Sequence, residues 1–323
     1  MISEKRIREE LTSTLEATDY EGLGEKETGK VRDCYKQAGR RILITTDRVS
    51  AFDCVLGTIP FKGQVLNQLA AFWFEQTRSI APNHMLDVPD SNVMVVAECK
   101  QLPIEMVVRG YITGVTKTSL WYNYERGVRE YCGNLLPDGL RKDQKLDHFI
   151  LTPSTKMEKH DRPVSREQAI AEELVDAETF DAAADICFRL FEFGVGHSKQ
   201  QGLILVDTKY ELGRRDGELL VSDEIHTPDS SRYWYADTYE ELFAAGRDQR
   251  KIDKEYVREW FVARGFRGDG TPPAMSDEVR VEAAKRYIQA YEVITGREFV
   301  ATDEPAHQRI ASALKAKGYF KEE

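Results

Sequence analysis

The residues best suited to chemistry lie in Asp207-Thr208-Lys209-Tyr210-Glu211 and, a short way downstream, in Ser222-Asp223-Glu224. In a strand, alternate residues share a face, so Asp207, Lys209 and Glu211 would point the same way. Arg215-Asp216-Gly217 reads as a three-residue hairpin loop with Gly217 left-handed. That loop pairs Arg214 with Glu218, sets Glu211 opposite Val221 and sets Lys209 opposite Asp223. Asp223 then joins the same face, a diagonal neighbour of Glu211 at about 7–8 Å. Two carboxylates so placed can reach one hard cation, and magnesium on a polyphosphate takes one or two carboxylates plus water. A solvated sheet face with a Lys209–Asp223 cross-strand pair is the other reading. Spacing leaves both open, and a register one residue off would send Asp223 to the opposite face.

Gly24 to Lys30 spells G-x-x-x-x-G-K, but Val31 follows where a Walker loop needs Ser or Thr for its metal. A Gly-rich turn feeding an edge strand is the better reading. Lys30 and Arg32 would then share a face and could hold a polyphosphate. On spacing alone, a solvated basic edge with ordinary turn glycines is favoured over that site. Further polar runs interrupt apolar stretches at Thr46–Asp53, Leu151–Lys156 with His160-Asp161 beyond, and Asp229–Arg232. Each also reads as a turn. Arg109 and Arg232 suit bidentate binding of phosphate or carboxylate, with a surface salt bridge as the default for either. The six histidines are scattered and no G-x-S-x-G elbow occurs, so no covalent-catalysis constellation is seen.

The elements that must position these residues are legible in outline. Strands are expected at Lys30–Tyr35, Arg41–Thr46, Val93–Ala97, Ile104–Arg109, Leu203–Val206 running into Glu211, and Leu219–Val221. Helical spacing marks Gln64–Gln76 and about Ala177–Phe193, the latter with Phe180, Ala184, Cys187, Phe188 and Phe191 on one face. Ser165 with Gln168 is a capping box, Ser276 caps a C-terminal helix and Gly296 ends it. The chain has 323 residues and a net charge of −10, which argues against a nucleic-acid partner. No apolar run is long enough to span a membrane, and the charged N-terminus lacks a signal-peptide core. The five cysteines are far apart and odd in number. Neither a disulfide framework nor a zinc site is expected, and a cytoplasmic location is.

Taken together, Gly29-Lys30-Val31-Arg32-Asp33, the Thr46–Asp53 run, Lys62-Gly63, Val107-Val108-Arg109-Gly110-Tyr111, Leu151–Lys156, Leu203–Gly213 and Asp223–Arg232 occur in a familiar order. The chain resembles the SAICAR (phosphoribosylaminoimidazole-succinocarboxamide) synthases over about Gly29 to Arg258. The resemblance implies an α+β, ATP-grasp-like fold. A β-rich, kinase-small-lobe-like nucleotide-binding domain would occupy 1–110. An α/β substrate- and metal-binding domain with a helical C-terminal extension would occupy 111–323. It implies a ligase that joins L-aspartate to carboxyaminoimidazole ribonucleotide with ATP and Mg2+, through an acyl phosphate, as a monomer or small homo-oligomer. Lys30 and Arg32 would contact ATP phosphates, with Lys156 on the nucleotide side and Asp161 beside it toward aspartate. Glu211 and Asp223 would hold magnesium, and Asp207 and Lys209 would line the reacting centre. Arg109, Ser119 and Arg232 would bind the ribonucleotide phosphate. Asp53 and Glu105 are implied on the substrate side, and Lys254 and Arg258 match a basic pair that helps close the site. One departure stands out: shorter relatives carry Ser directly after the glycine, whereas here Val115-Thr116-Lys117-Thr118 separates Gly114 from Ser119. A small-molecule kinase of related fold and an inactive nucleotide-binding protein are the alternatives.

Overall fold

A computed structural model describes residues 2–52, 54–156, 161–252 and 255–320. The chain forms two compact units, each discontinuous in sequence. The first is Met1–Glu75, His84–Glu98 and Asp253–Glu323, and the second is Gln76–Asn83 and Cys99–Ile252. A single division at 110 would fall inside a strand of the second unit, Ile104–Ile112. The chain's C-terminal helices belong to the first unit because their apolar side chains complete its core.

The first unit contains strands β1 (Glu25–Thr28), β2 (Arg32–Gln37), β3 (Arg40–Thr45), β4 (Arg48–Ala51), β5 (Cys54–Thr58), β6 (Met85–Asp90) and β7 (Val93–Ala97). β4 and β5 form a separate hairpin, and the others form an antiparallel sheet in the order β1-β2-β3-β7-β6. Period-two alternation puts Tyr35, Ile42, Ile44, Val93 and Val95 in one core cluster with Leu15 and Leu23. Ile310 and Leu314, from the helix Ala306–Ala316, are fully buried in that same cluster. Arg309 ties the helix to the β6–β7 turn, donating to Ser91 Oγ at 2.7 Å and Asn92 Oδ1 at 2.8 Å and pairing with Asp90.

The helix Lys62–Gln76 matches its expected position but is buried on nearly every side, including Lys62. Gly63 is required there, because a Cβ would lie 2.3 Å from the carbonyl oxygen of Thr45. The helix Asp277–Thr295 follows Ser276 and ends on left-handed Gly296, as the sequence signals.

The second unit holds β8 (Lys100–Gln101), β9 (Ile104–Ile112), β10 (Glu130–Tyr131), β11 (Asn134–Leu135), β12 (Gln144–Leu151), β13 (Ser154–Thr155), β14 (Leu203–Arg215), β15 (Glu218–Ser222) and β16 (Ser231–Tyr235). β14 is the spine of its main sheet and pairs with β9, β16, β8 and β15. The helix Ala177–Gln200 packs against it, capped by Asp176, which accepts from Thr179 N at 2.7 Å. This helix runs a further two turns beyond Phe193, and its buried stripe is Phe180, Ala183, Cys187, Leu190, Phe191 and Gly194. Gly194 allows close approach, since a Cβ there would sit 2.8 Å from Leu205 Cδ2. The Ser165–Gln168 capping box forms as expected. No helix among the described residues is long and apolar enough to cross a membrane.

If the C-terminal helix is part of the first unit's core, Ile310→Ala should destabilise the protein by about 2–5 kcal/mol. Urea unfolding followed by circular dichroism measures this. A wild-type midpoint would make that helix an appendage.

Candidate active site

β14 presents Asp207, Lys209 and Glu211 to one side and sends Tyr210 and Leu212 into the core. Antiparallel pairing sets Asp207 opposite Arg109 and Lys209 opposite Val107 on β9, and sets Asp207 opposite Arg232 on β16. Two charge clusters result on that face. Their anchors, Asp207 and Glu211, are four residues apart, about 13 Å along the strand.

The first cluster is built on arginines. Asp207 Oδ2 accepts from Arg109 Nη1 at 3.0 Å and from Arg232 Nη1 at 2.5 Å. Arg109 Nε also donates to Thr152 Oγ1 at 2.8 Å. Burial draws the Arg109 pKa below its usual value, and the Asp207 charge opposes that effect. Ser119 is buried beside them. A Cβ on Gly114 would meet Ser119 Oγ at 2.4 Å and Arg232 Nη2 at 3.1 Å, so glycine lets the loop close over the arginine. Gly114 also has φ +93°, which a side chain would strain. Within the insertion, Thr116 Oγ1 lies 2.7 Å from Ser119 Oγ.

The second cluster is built on lysines and carboxylates. Lys209 Nζ donates to Glu105 Oε1 at 3.0 Å and Glu211 Oε1 at 2.5 Å. Lys156 pairs with the other oxygen of Glu211 and lies 3.7 Å from Glu105 Oε1. β13 brings Lys156 there by pairing Ser154 with Glu105 and Thr155 with Ile104. Burial and the charge of Lys209 hold the Lys156 pKa below its usual value, against the pull of Asp223, Glu105 and Asp161. Burial acts on Lys209 in the same sense, but Asp223, Glu105 and Glu224 outweigh it, so its pKa lies above the usual value.

The hairpin register differs from the sequence expectation by one residue. β14 and β15 turn on Asp216-Gly217 alone, with φ of +52° and +86°, as a two-residue primed turn requires. Arg215 therefore pairs with Glu218, and Glu211 pairs with Ser222 rather than Val221. Simple alternation would carry Asp223 away. Instead β15 ends at Ser222 and Asp223 takes the left-handed φ of +62°. Its charge still acts on both Lys156 and Lys209. The loop that follows is anchored from the core, where His226 Nε2 lies 2.6 Å from the Tyr210 hydroxyl and the Tyr233 hydroxyl donates to His226 O at 2.6 Å. Burial pushes the His226 pKa down to about 3, so the ring is neutral.

Of the site residues expected from sequence, Asp207, Lys209, Arg109, Arg232, Ser119, Glu105, Lys156, Glu211, Asp223 and Asp161 lie in the second unit. Asp161 is exposed and acts on Lys156 through its charge. Lys30, Arg32 and Arg258 lie in the first unit, where the Arg258 guanidinium sits 5.5 Å over the Phe52 ring. Asp53 and Lys254 fall outside the described residues. Lys30 is not on a strand: Gly29–Arg32 is the tip of the β1–β2 hairpin, closed by Gly29 N donating to Arg32 O at 2.8 Å. Strand alternation therefore does not relate Lys30 to Arg32, and β2 is an inner strand, with β1 at the edge. The sequence alone assigns Glu224 no role. Its place beside Asp223 was the available signal, and its carboxylate accepts from Thr227 Oγ1 at 2.8 Å.

The family model described as SAICAR synthetase matches residues 25–272. A phosphoribosylaminoimidazole-succinocarboxamide synthase of Legionella pneumophila is 51% identical over 286 residues, covering 88% of this chain and 91% of that one. A chloroplastic enzyme of the same name from Arabidopsis thaliana is 49% identical, covering 94% of this chain and 76% of that one. Among solved structures, the SAICAR synthase of Saccharomyces cerevisiae complexed with SAICAR superposes with a TM-score of 0.77 at 30% identity, covering 89% of this chain and all of that one. The α+β architecture and these matches lead to one conclusion: the chain belongs to the SAICAR synthetase family.

Proposed function

We propose that the chain joins L-aspartate to the carboxylate of carboxyaminoimidazole ribonucleotide, with ATP as phosphoryl donor, yielding SAICAR, ADP and phosphate in purine biosynthesis. The observation that carries this reading is the single sheet face with an arginine end and a lysine–carboxylate end. A phosphorylated substrate would dock its phosphate at Arg109, Arg232 and Ser119, where guanidinium forks match phosphate oxygens. Asp207, which holds both guanidiniums, orients them. The far end of the substrate then extends along the strand toward Lys209.

The chemistry follows from the substrate's own groups. A carboxylate oxygen attacks the γ-phosphorus of ATP, the bond to the β-phosphate oxygen breaks, and ADP leaves with an acyl phosphate formed. The aspartate amine attacks the acyl carbon, and inorganic phosphate departs with the former carboxylate oxygen. Lys209 and Lys156 meet the charge that builds during both steps. Lys30 and Arg32 contact ATP phosphates, Asp161 is assigned to the aspartate side, and Lys254 with Arg258 helps close the site. Asp53 and Glu105 serve the substrate side. We take the setting to be cytoplasmic.

Magnesium is part of this proposal. Among the described residues, no three His, Cys, Asp or Glu side chains gather closely enough to hold an ion. Two carboxylates would suffice, because magnesium on ATP takes one or two plus phosphate oxygens and water. Glu105, Glu211, Asp223 and Glu224 set four carboxylates against the two ammoniums of Lys156 and Lys209, leaving the cluster net negative. Glu211 and Asp223 would hold the ion, which would neutralise phosphate charge.

An assay that omits each substrate in turn tests the reaction. ADP release should require both aspartate and the ribonucleotide. Full-rate ADP release without aspartate would indicate a small-molecule kinase, and no ADP under any condition would indicate an inactive binding protein. Glu211→Gln and Asp223→Asn should each cut turnover at least about tenfold and raise the magnesium requirement, with the circular dichroism spectrum unchanged. Wild-type magnesium dependence in both variants would remove the metal assignment.

A further inference from the structure

The Thr46-Asp47-Arg48 run sits behind the β1–β2 hairpin tip, and its side chains are all buried. Arg48 Nη2 donates to Gly29 O at 2.9 Å and Nε donates to Lys30 O at 3.1 Å. Thr46 donates to Val31 O twice, from its backbone N at 3.0 Å and from Oγ1 at 2.8 Å. Three consecutive carbonyls of the tip are therefore turned to one side and satisfied there. Arg48 is fixed in turn by Asp33 Oδ1 at 2.9 Å and by donating from Nη1 to Glu16 O at 2.5 Å. Asp33 accepts from Thr18 N at 2.6 Å and Thr18 Oγ1 at 2.9 Å. Asp47, in the middle of the run, anchors it by accepting from Leu15 N at 2.7 Å and Gly63 N at 2.9 Å. Burial raises the Asp47 pKa to about 6.

We infer that Arg48, assisted by Thr46, is a positioning residue that presets the Gly29–Arg32 tip for the triphosphate. Its side chain is only 7% exposed and is committed to four backbone or carboxylate acceptors, so its effect reaches the nucleotide through the tip. Peptide carbonyls repel an approaching polyanion. Drawing the three toward Arg48 and Thr46 removes that repulsion and fixes the backbone that carries Lys30 and Arg32 before ATP arrives. A guanidinium is needed for this. Its planar fork reaches several acceptors at fixed angles, whereas a lysine ammonium of equal charge cannot span them. The inference rests on the assignment of Lys30 and Arg32 to ATP phosphates.

The test uses the full chain and steady-state kinetics for all three substrates. Arg48→Lys should raise the KM for ATP about tenfold, with kcat and the KM values for aspartate and the ribonucleotide held within about twofold. Thr46→Val keeps the backbone N–H and the side-chain shape. It should raise the KM for ATP by a smaller factor, and it carries the test alone if Arg48→Lys does not fold. Lys30→Ala separates the two levels of the argument. If Lys30→Ala raises the KM for ATP while Arg48→Lys and Thr46→Val leave it unchanged, the positioning role is wrong and the phosphate assignment survives. If Lys30→Ala leaves it unchanged, both fall. If Arg48→Lys raises all three KM values together, Arg48 serves stability only and the inference is overturned.

Discussion

The register of β14 against β9 governs everything the second unit does. Asp207 faces Arg109 and Lys209 faces Val107 because the two strands pair in one register and no other. A slip of a single residue would turn Asp207, Lys209 and Glu211 toward the apolar core and Tyr210 and Leu212 toward the charged face. The core forbids that slip. Tyr210 and Leu212 are fully buried, and Tyr210 is also held to His226 at 2.6 Å. Hydrogen bonding along both edges of β14 adds rigidity, since β16, β9, β8 and β15 share its length between them. A site built on such a strand is placed more accurately than one built on loops.

Charge is arranged under a second constraint. Buried ions must be paired, and breaking one partner from a buried pair costs about 3–5 kcal/mol. Arg109 and Asp207 satisfy each other in this way, as do Arg48 and Asp33 in the first unit. Lys156 and Lys209 share Glu211 between them. In the proposed reaction these pairings would hold the groups in place for anionic substrates. Binding, orientation and charge stabilisation are enough for a reaction whose leaving groups are supplied by ATP.

Much of this was legible in the sequence, for identifiable reasons. Alternation along Asp207–Glu211 and the apolar run before it sufficed to put three site residues on one face. The capping box at Ser165 and the left-handed glycine at Gly296 marked helix ends directly. The hairpin departs from the sequence expectation because Asp216-Gly217 makes a two-residue turn by itself, which moves every partner by one. Asp223 stays with its cluster only through a left-handed backbone that no spacing rule reveals. Lys30 is not legible as a turn residue, because turn and strand are both compatible with Gly29-Lys30-Val31, and the carbonyl contacts of Arg48 that define the tip come from a distant segment. The assignment of the C-terminal helix to the first core is likewise tertiary, since Ile310 and Leu314 look like any amphipathic pair until Tyr35, Ile42 and Val95 are placed beside them.

In the proposed reaction the substrate carboxylate is activated by phosphate before the amine attacks. Label that carboxylate with oxygen-18 and run a single turnover with ATP and aspartate. Activation as an acyl phosphate requires one labelled oxygen to leave in the inorganic phosphate, because that oxygen bridges carbon and phosphorus in the intermediate. Label retained entirely in the amide product, or released to water, would contradict the account.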